Sequence, residues 1–357
     1  MTTDLLALTA LLVDIPSESH DEAAITDHIE ARLKAEAPHL VLDRVGNNLI
    51  ARTMLGRSYR LVLAGHTDTV PANANMPSRR EGDVLWGCGT TDMKAGIAVM
   101  LDLAITVPAP AVDVTYVFYA AEEVAAVHNG LGEVFRARPD LLVGDVALLG
   151  EPTDGQIEAG CQGTVRIRFT FAGQRSHTAR PWMGRNAIHR LADALARLNA
   201  YEHRTPLIDG CEYREAMQAV AVEGGVAGNV VPDLAVLTVN HRFAPDRTID
   251  EAIQHVRAVI APEPEASDSF EVTDASAGAL PGLSHPVIAT LIQREKLTVT
   301  AKLGWTDVAR FSAAGVPATN FGPGDATLAH TALERVEREP IERVWRSLYR
   351  LLTEGAA

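Results

Sequence analysis

A chain of 357 residues, 47% hydrophobic and 22% charged, is long enough for two domains and can bury a large core. Its net charge of −14 argues against nucleic acid or an anionic membrane surface as partner, yet leaves room for an anionic substrate held by a local arginine cluster. Cys88, Cys161 and Cys211 are too scattered for a disulfide framework or a cysteine-rich zinc site, no apolar run could span a bilayer, and the start lacks a basic signal-peptide region, so the cytoplasm is the expected location.

Residues 5–15 read as a helix. Ser19 and Glu22 match a capping box ahead of Ile25, Ile29 and Leu33 at helical spacing. Residues 40–45 and 49–53 flank Gly-Asn-Asn, a hairpin signal. A buried strand over 60–64 stops on Gly65-His66-Thr67-Asp68, and Pro71 blocks its continuation. His66 and Asp68 would leave the same face of a strand, so the carboxylate can hold one imidazole nitrogen while the other faces a metal. A helix over 93–107 follows Asp92 directly, and buried strands over 112–120 and 145–149 end on Ala-Glu-Glu and Gly-Glu-Pro. Strands alternating with helices indicate an α/β sheet.

From Gly163 the pattern changes to the polar–apolar alternation of half-exposed antiparallel strands, at 164–171 and 234–243, with a β-rich stretch at 217–222 and a last strand at 269–273. Helices fall at 186–199 and 249–260. These segments define a domain of antiparallel sheet and two helices at 167–277, inserted into a larger α/β domain formed by 1–166 and 278–357. Beyond it, residues 299–302 lead to Gly-Trp-Thr-Asp and residues 317–321 to Gly-Pro-Gly-Asp.

Ligand-type residues therefore gather at strand ends: His66 and Asp68, Glu122 and Glu123, Glu151, and the loop carrying His330, with Asp92 opening a helix. Each has an ordinary reading by itself, as a local hydrogen bond, a solvated helix start, a turn or a surface histidine. Their convergence matches where open α/β sheets place their sites. Two histidines and several carboxylates without cysteine suit zinc or a similar divalent ion, and the extra carboxylates allow two ions.

The segments Gly-His-Thr-Asp-Thr-Val-Pro (65–71), Gly-Cys-Gly-Thr-Thr-Asp-Met-Lys-Ala-Gly (87–96), Ala-Glu-Glu (121–123), Gly-Glu-Pro-Thr (150–153), Ser-His-Thr-Ala-Arg-Pro (176–181) and Gly-Pro-Gly-Asp through Ala-His-Thr (322–331) resemble the di-zinc metallopeptidase and amidohydrolase family of aminoacylases, carboxypeptidases and desuccinylases. The resemblance implies a mixed-sheet catalytic domain with an inserted lid domain through which subunits pair as a homodimer. It implies two zinc ions per subunit, with Co2+ as a substitute. Asp92 would bridge them, His66 and Glu151 would complete one site, and Glu123 and His330 the other. Asp68 would orient His66, Glu122 would be the general base, and His177, reaching in from the partner subunit, would stabilise the oxyanion. The bridging aspartate of this family precedes a cis peptide, which here would be Asp92–Met93.

Further segments, 158–164, 224–232, 242–247 and 304–310, are most similar to succinyl-diaminopimelate desuccinylases of the actinobacterial kind. The substrate this implies is N-succinyl-L,L-diaminopimelate, a precursor of lysine and peptidoglycan, with Arg180, Arg242, Arg310, Asn229 and Thr306 holding its carboxylates; guanidinium groups suit that task because their planar fork binds carboxylate at two points. The alternative is another N-acyl amino acid substrate, as in an acetylornithine deacetylase, aminoacylase or carboxypeptidase. The chain departs from the proteobacterial pattern, which has an arginine pair at Cys161-Gln162 and asparagine at Gly228. A carboxylate contact is then missing or comes from elsewhere, with Arg180 and Arg175 as candidates. A non-catalytic descendant of the fold would have lost its base, and Glu122 is present.

Overall fold

In the computed structural model, which describes residues 4–355, the buried apolar strands of the N-terminal half lie side by side in one eight-stranded mixed sheet. Its order is Val41–Val45, Asn48–Arg52, Asp113–Tyr119, Arg60–His66, Val146–Leu149, Ala318–Asn320, Ile157–Ala159 and Val299–Ala301. The four strands from Asp113–Tyr119 to Ala318–Asn320 run parallel, with His66 opposite Tyr119 and Leu149 beside both Ala64 and Asn320. Their carboxyl ends therefore meet along one edge, where Glu122, Glu123 and Glu151 also emerge. Asp113–Tyr119 and Val146–Leu149 are buried throughout, as parallel strands covered on both faces must be. The expected hairpin is present, with Val45 paired to Asn48 and Gly46 at φ 60°.

The protein consists of two compact units. The first runs to Gly160 and resumes over Pro281–Thr300 and from Asp307 onward; the second holds Cys161–Leu280 and Ala301–Thr306. The second thus begins earlier and ends later than 167 and 277, because Cys161 and Ala279 exchange both backbone hydrogen bonds at 3.0 Å.

Within the first unit, the helix Ala95–Thr106 is buried from Ala95 to Ala104 and packs with Leu5–Val13 and Arg338–Glu354. A helix buried on every side belongs at the centre of a domain, and its one charged side chain there, Asp102, accepts the Trp345 Nε1–H at 2.8 Å. Asp4 caps Leu5–Val13 by accepting the Ala7 N–H at 3.2 Å. The capping box expected at Ser19 and Glu22 does not form: the helix starts at Ala23, and no side chain caps it. Ser19 Oγ instead donates to Asp68 Oδ2 at 2.7 Å, and the Glu22 carboxylate accepts the N–H groups of His20 and Ala121 at 2.7 and 3.1 Å. Water can serve the first amides of a helix, whereas a buried carboxylate needs its partners from the protein.

Within the second unit, Ala216–Gly224, Leu234–Phe243, Gly163–Ala172 and Ser269–Ser276 form an antiparallel sheet in that order. Val165, Ile167, Leu237 and Val239 from one face pack with Leu191, Ala194, Val256 and Ile260 of the helices Ala187–Asn199 and Ile249–Ile260. Asn186 caps the first helix, and a Thr248–Glu251 capping box starts the second. No helix among the described residues is long and apolar enough to cross a membrane.

Beneath the strand ends the backbone packs without side chains. A Cβ on Gly96 or Gly322 would overlap the Gly150 carbonyl oxygen. Gly96→Ala is therefore expected to destabilise the protein by about 1–3 kcal/mol through overpacking, read as a lowered unfolding midpoint. An unchanged midpoint would mean that the helix Ala95–Thr106 can shift to make room.

Candidate metal centre

The strand Arg60–His66 delivers His66, only 1% exposed, to the edge where the parallel strands end. Its Nδ1 lies 3.1 Å from the Asp68 main-chain oxygen and 3.5 Å from Asp68 Oδ1, and its Nε2 lies 3.1 Å from Asp92 Oδ1. The other Asp92 oxygen lies 3.5 Å from Nε2 of His330, which is also 2.8 Å from Glu123 Oε1. Asp92 thus turns one oxygen to each histidine. Donor atoms of His66, Asp92 and Glu151 fall within 4.8 Å of one another, as do those of Asp92, Glu123 and His330, and those of His66, Glu122 and Glu123. The Asp92–Met93 peptide is cis, as expected.

These charges could not coexist without compensation. Burial would push the Asp68 carboxyl up, but His66, the Glu122 amide and the Ser19 hydroxyl hold it down at about 2. Burial would likewise raise Asp92 and depress His66; their mutual contact, with His330 and Asp68 alongside, leaves Asp92 well below the usual carboxylate range and His66 well above its ordinary value. Asp92 and Glu123 raise His330 to about 10. Glu122 goes the other way: burial first, then Glu151, Asp307 and Glu123, push its carboxyl well up, against the opposing pull of His66. One carboxylate has thus been set apart from its neighbours, which is how a site separates a proton carrier from fixed charges.

A nitrogen and oxygen donor set with a shared carboxylate fits a pair of divalent ions.

Other residues lie around this cluster. Asp68 contacts more than His66, since its two oxygens accept the N–H groups of Glu122 and Glu123 at 3.0 and 3.1 Å. Glu334, not singled out in the sequence, accepts the N–H groups of Thr91 and Asp92 at 3.0 and 3.2 Å, and burial pushes its carboxyl up to about 7. It stands one helical turn after His330 in sequence, but an isolated glutamate near a histidine carries no signal by itself. Lys94 donates to the Ile15 carbonyl at 3.0 Å, and burial lowers its amine to about 8.

The substrate candidates are distributed differently. Arg310 belongs to the first unit, where its Nε donates to Asp307 at 2.6 Å and a second nitrogen to the Ala126 carbonyl at 3.3 Å. His177, Arg180, Asn229, Arg242 and Thr306 belong to the second. There, His177 pairs with Val230 across a two-residue ladder, and the Asn229 carbonyl accepts the Thr178 N–H at 3.0 Å, so His177 and Asn229 are neighbours. Arg180 is exposed, Thr306 is buried, and Arg175 is held by Asp233 at 2.9 Å.

Residues 62–354 match the family described as peptidase family M20/M25/M40. The chain belongs to that family. It is 55% identical over 334 residues to a Mycobacterium tuberculosis protein provisionally named succinyl-diaminopimelate desuccinylase, covering 93% of each chain. It is 47% identical over 348 residues to the succinyl-diaminopimelate desuccinylase of Corynebacterium glutamicum, covering 96% of this chain and 93% of that one. The fold is shared with a tripeptidase from Staphylococcus aureus at TM-score 0.81 and 20% identity, over 100% and 99% of the two chains. It is shared also with a dinuclear metal-binding M20 peptidase of Bacillus subtilis at TM-score 0.72 and 16% identity, over 97% and 96%.

The neighbouring carboxylates raise both His66 and His330, so the protonated imidazole is favoured at each, while a metal ligand must be neutral. Titrating metal-free protein with Zn2+ near pH 7, in buffers of different ionisation enthalpy, is expected to show proton release, with affinity increasing as pH rises. Binding without proton release would show that the imidazoles start neutral. The stabilisation that the metal-free fold draws from His330 is full below about 6.5, the unfolded value, and is lost as pH rises through about 10.

Proposed function

We propose that this chain is a zinc-dependent, homodimeric enzyme that hydrolyses N-succinyl-L,L-diaminopimelate to succinate and L,L-diaminopimelate, in the cytoplasmic synthesis of lysine and peptidoglycan precursors. The observation that carries the hydrolytic reading is Asp92 set between two histidines, beside a glutamate whose carboxyl is raised. The named activity of relatives at 55% and 47% identity supports the choice of substrate.

In this reading His66 and Glu151 would hold one ion and Glu123 and His330 the other, with Asp92 available to both; the same donors would accept Co2+. Two bound divalent ions would polarise the amide carbonyl and lower the pKa of the attacking water towards neutrality. Glu122 takes a proton from the attacking water as the water oxygen adds to the acyl carbon. It then delivers the proton to the amide nitrogen as the C–N bond breaks. Burial and neighbouring carboxylates raise its carboxyl, which favours its holding the proton between the two steps. Asp68 fixes the His66 tautomer through Nδ1.

His177 stabilises the oxyanion, a task in which one donor is worth about 3 kcal/mol elsewhere. Its Nδ1 accepts the Ala179 N–H at 3.0 Å, which assigns the hydrogen to Nε2 and leaves an exposed imidazole with a donor to offer. Arg242 lies beside Arg166, one residue pair along the same face of the second unit's sheet, and two adjacent guanidinium groups attract a carboxylate. Asn229, Thr306 and Arg180 complete the proposed substrate contacts. Arg310 is engaged by Asp307, so its role towards substrate would be exercised through that aspartate's neighbourhood.

Pairing through the second unit is supported by its edge strand Ala216–Gly224, where Val220 and Val222 are 55% and 54% exposed. An unpaired strand edge bearing apolar side chains is a template for a second copy.

The zinc-loaded protein is expected to release succinate from N-succinyl-L,L-diaminopimelate with the highest kcat/KM in a panel of N-acyl amino acids. A preference for N-acetylornithine or an apolar acyl group would assign the alternative substrate class. Glu122→Gln is expected to lower kcat by about 10²–10⁴ with both ions retained. If His177 acts across a dimer, mixing Glu122→Gln with His177→Ala protein should restore activity through heterodimers; no rescue despite demonstrated subunit exchange would place it in its own subunit's site.

A further inference from the structure

The strand Asp113–Tyr119 ends in a turn that carries Glu122 and Glu123 and lies outside helix and ladder, with the Ala120 carbonyl accepting the Gly130 N–H at 2.8 Å. Ala120 donates its N–H to Asn48 Oδ1 at 3.0 Å, Ala121 to Glu22 Oε1 at 3.1 Å, Glu122 to Asp68 Oδ1 at 3.0 Å and Glu123 to Asp68 Oδ2 at 3.1 Å. Four consecutive amides thus point at side-chain acceptors from three other segments. At the second of them the backbone is in the left-handed region, with Ala121 at φ 56°. A residue with a Cβ holds that conformation only when its surroundings require it.

Of the three acceptors, Asp68 already serves the proposed centre, and Glu22 is the one that bonds the left-handed residue itself. Glu22 is 1% exposed, although it stands at a helix start where glutamate is ordinarily solvated. Its side chain leaves the helix uncapped and turns back, with Oε1 shared between the His20 and Ala121 N–H groups and Oε2 3.5 Å from Asn47 Nδ2. The His20 bond fixes the strap that carries Ser19 to Asp68, so Glu22 acts on the turn directly through Ala121 and indirectly through Asp68.

We propose that Glu22 is a positioning residue for the turn, holding Ala121 in its left-handed conformation and so fixing where the Glu122 and Glu123 carboxylates point. The catalytic part of this inference rests on the hydrolytic reading above; the structural part does not. A misplacement of about 1 Å in a catalytic group can lower a rate about a hundredfold, so a hydrogen bond distant from the chemistry can be felt in kcat.

The test compares Glu22→Met, which keeps the volume and removes the acceptor, with Glu22→Gln, which keeps an acceptor oxygen. Two quantities are read on zinc-loaded protein: amide hydrogen exchange across residues 119–124, and kcat and KM on whichever N-acyl amino acid the wild type cleaves. In Glu22→Met, exchange in this segment should accelerate about tenfold or more while the strand Arg60–His66 and the helix Arg338–Glu354 keep their protection. Its kcat should fall about tenfold or more, with KM within about threefold and metal content unchanged. Glu22→Gln should stay near wild type in every reading. Unchanged exchange in Glu22→Met, equal losses in both variants, or a loss of protection and folding across the whole chain would each overturn the proposal. If the wild type cleaves no member of the panel, the functional reading fails while the exchange arm still decides the positioning role.

Discussion

Five carboxylates, those of Asp68, Asp92, Glu122, Glu123 and Glu151, converge where four parallel strands end, and their mutual repulsion is the constraint that the surrounding structure answers. At a few ångströms, in a medium less polar than water, like charges repel by several kcal/mol each. The protein assigns each carboxylate different company. Asp68 takes two amides, a hydroxyl and an imidazole and stays ionised. Asp92 divides its oxygens between two imidazoles, and Glu123 shares one of these. Glu122 donates its N–H to Asp68 while its own carboxyl is left to be raised, so identical chemistry ends in opposite protonation tendencies.

Much of the first unit can be understood as support for that arrangement. The parallel register brings His66, the Ala120–Glu123 turn and Glu151 to one level. Glu334 fastens the backbone at Asp92 from the loop that also supplies His330, so one short segment both presents an imidazole to Asp92 and braces its backbone. The N-terminal strap runs alongside, with Thr69 N–H donated to the Ser17 carbonyl and Ser19 N–H to that of Thr69. The centre is held less by any single strong bond than by many acceptors placed where backbone amides would otherwise be orphaned.

The α/β architecture, the change of texture after Gly163 and the ligand-type residues at strand ends were legible because each rests on a local pattern: apolar runs, alternation, and polar residues where a buried strand stops. What stayed hidden depends on partners distant in sequence. Ser19 and Glu22 have the spacing of a capping box, and only the fold reveals that Asp68 and Ala121 compete for them. Glu334 offers no periodicity and no motif, since its partners lie about 240 positions away. Arg310 reads as a carboxylate binder, yet its neighbour Asp307 occupies it. The helix Arg338–Glu354 is a different case: Ile341, Val344, Leu348 and Leu351 do recur at helical spacing, but it bears no site chemistry to draw attention.

The glycine contacts beneath the centre bear on how such a protein can diversify. Gly96, Gly150 and Gly322 come from three separate segments and touch backbone to backbone, so a side chain gained at one of them cannot be absorbed by trimming another, which is already minimal. That floor cannot be remodelled one substitution at a time. Change is more readily absorbed at positions that still have atoms to lose or exchange, such as the polar and charged residues on the helix-free face of the second unit's sheet, where Thr164, Arg166, Asn240 and Arg242 lie together. The chain thus divides its evolutionary freedom unevenly, with the carboxylate cluster anchored over inflexible backbone and change left to replaceable side chains elsewhere.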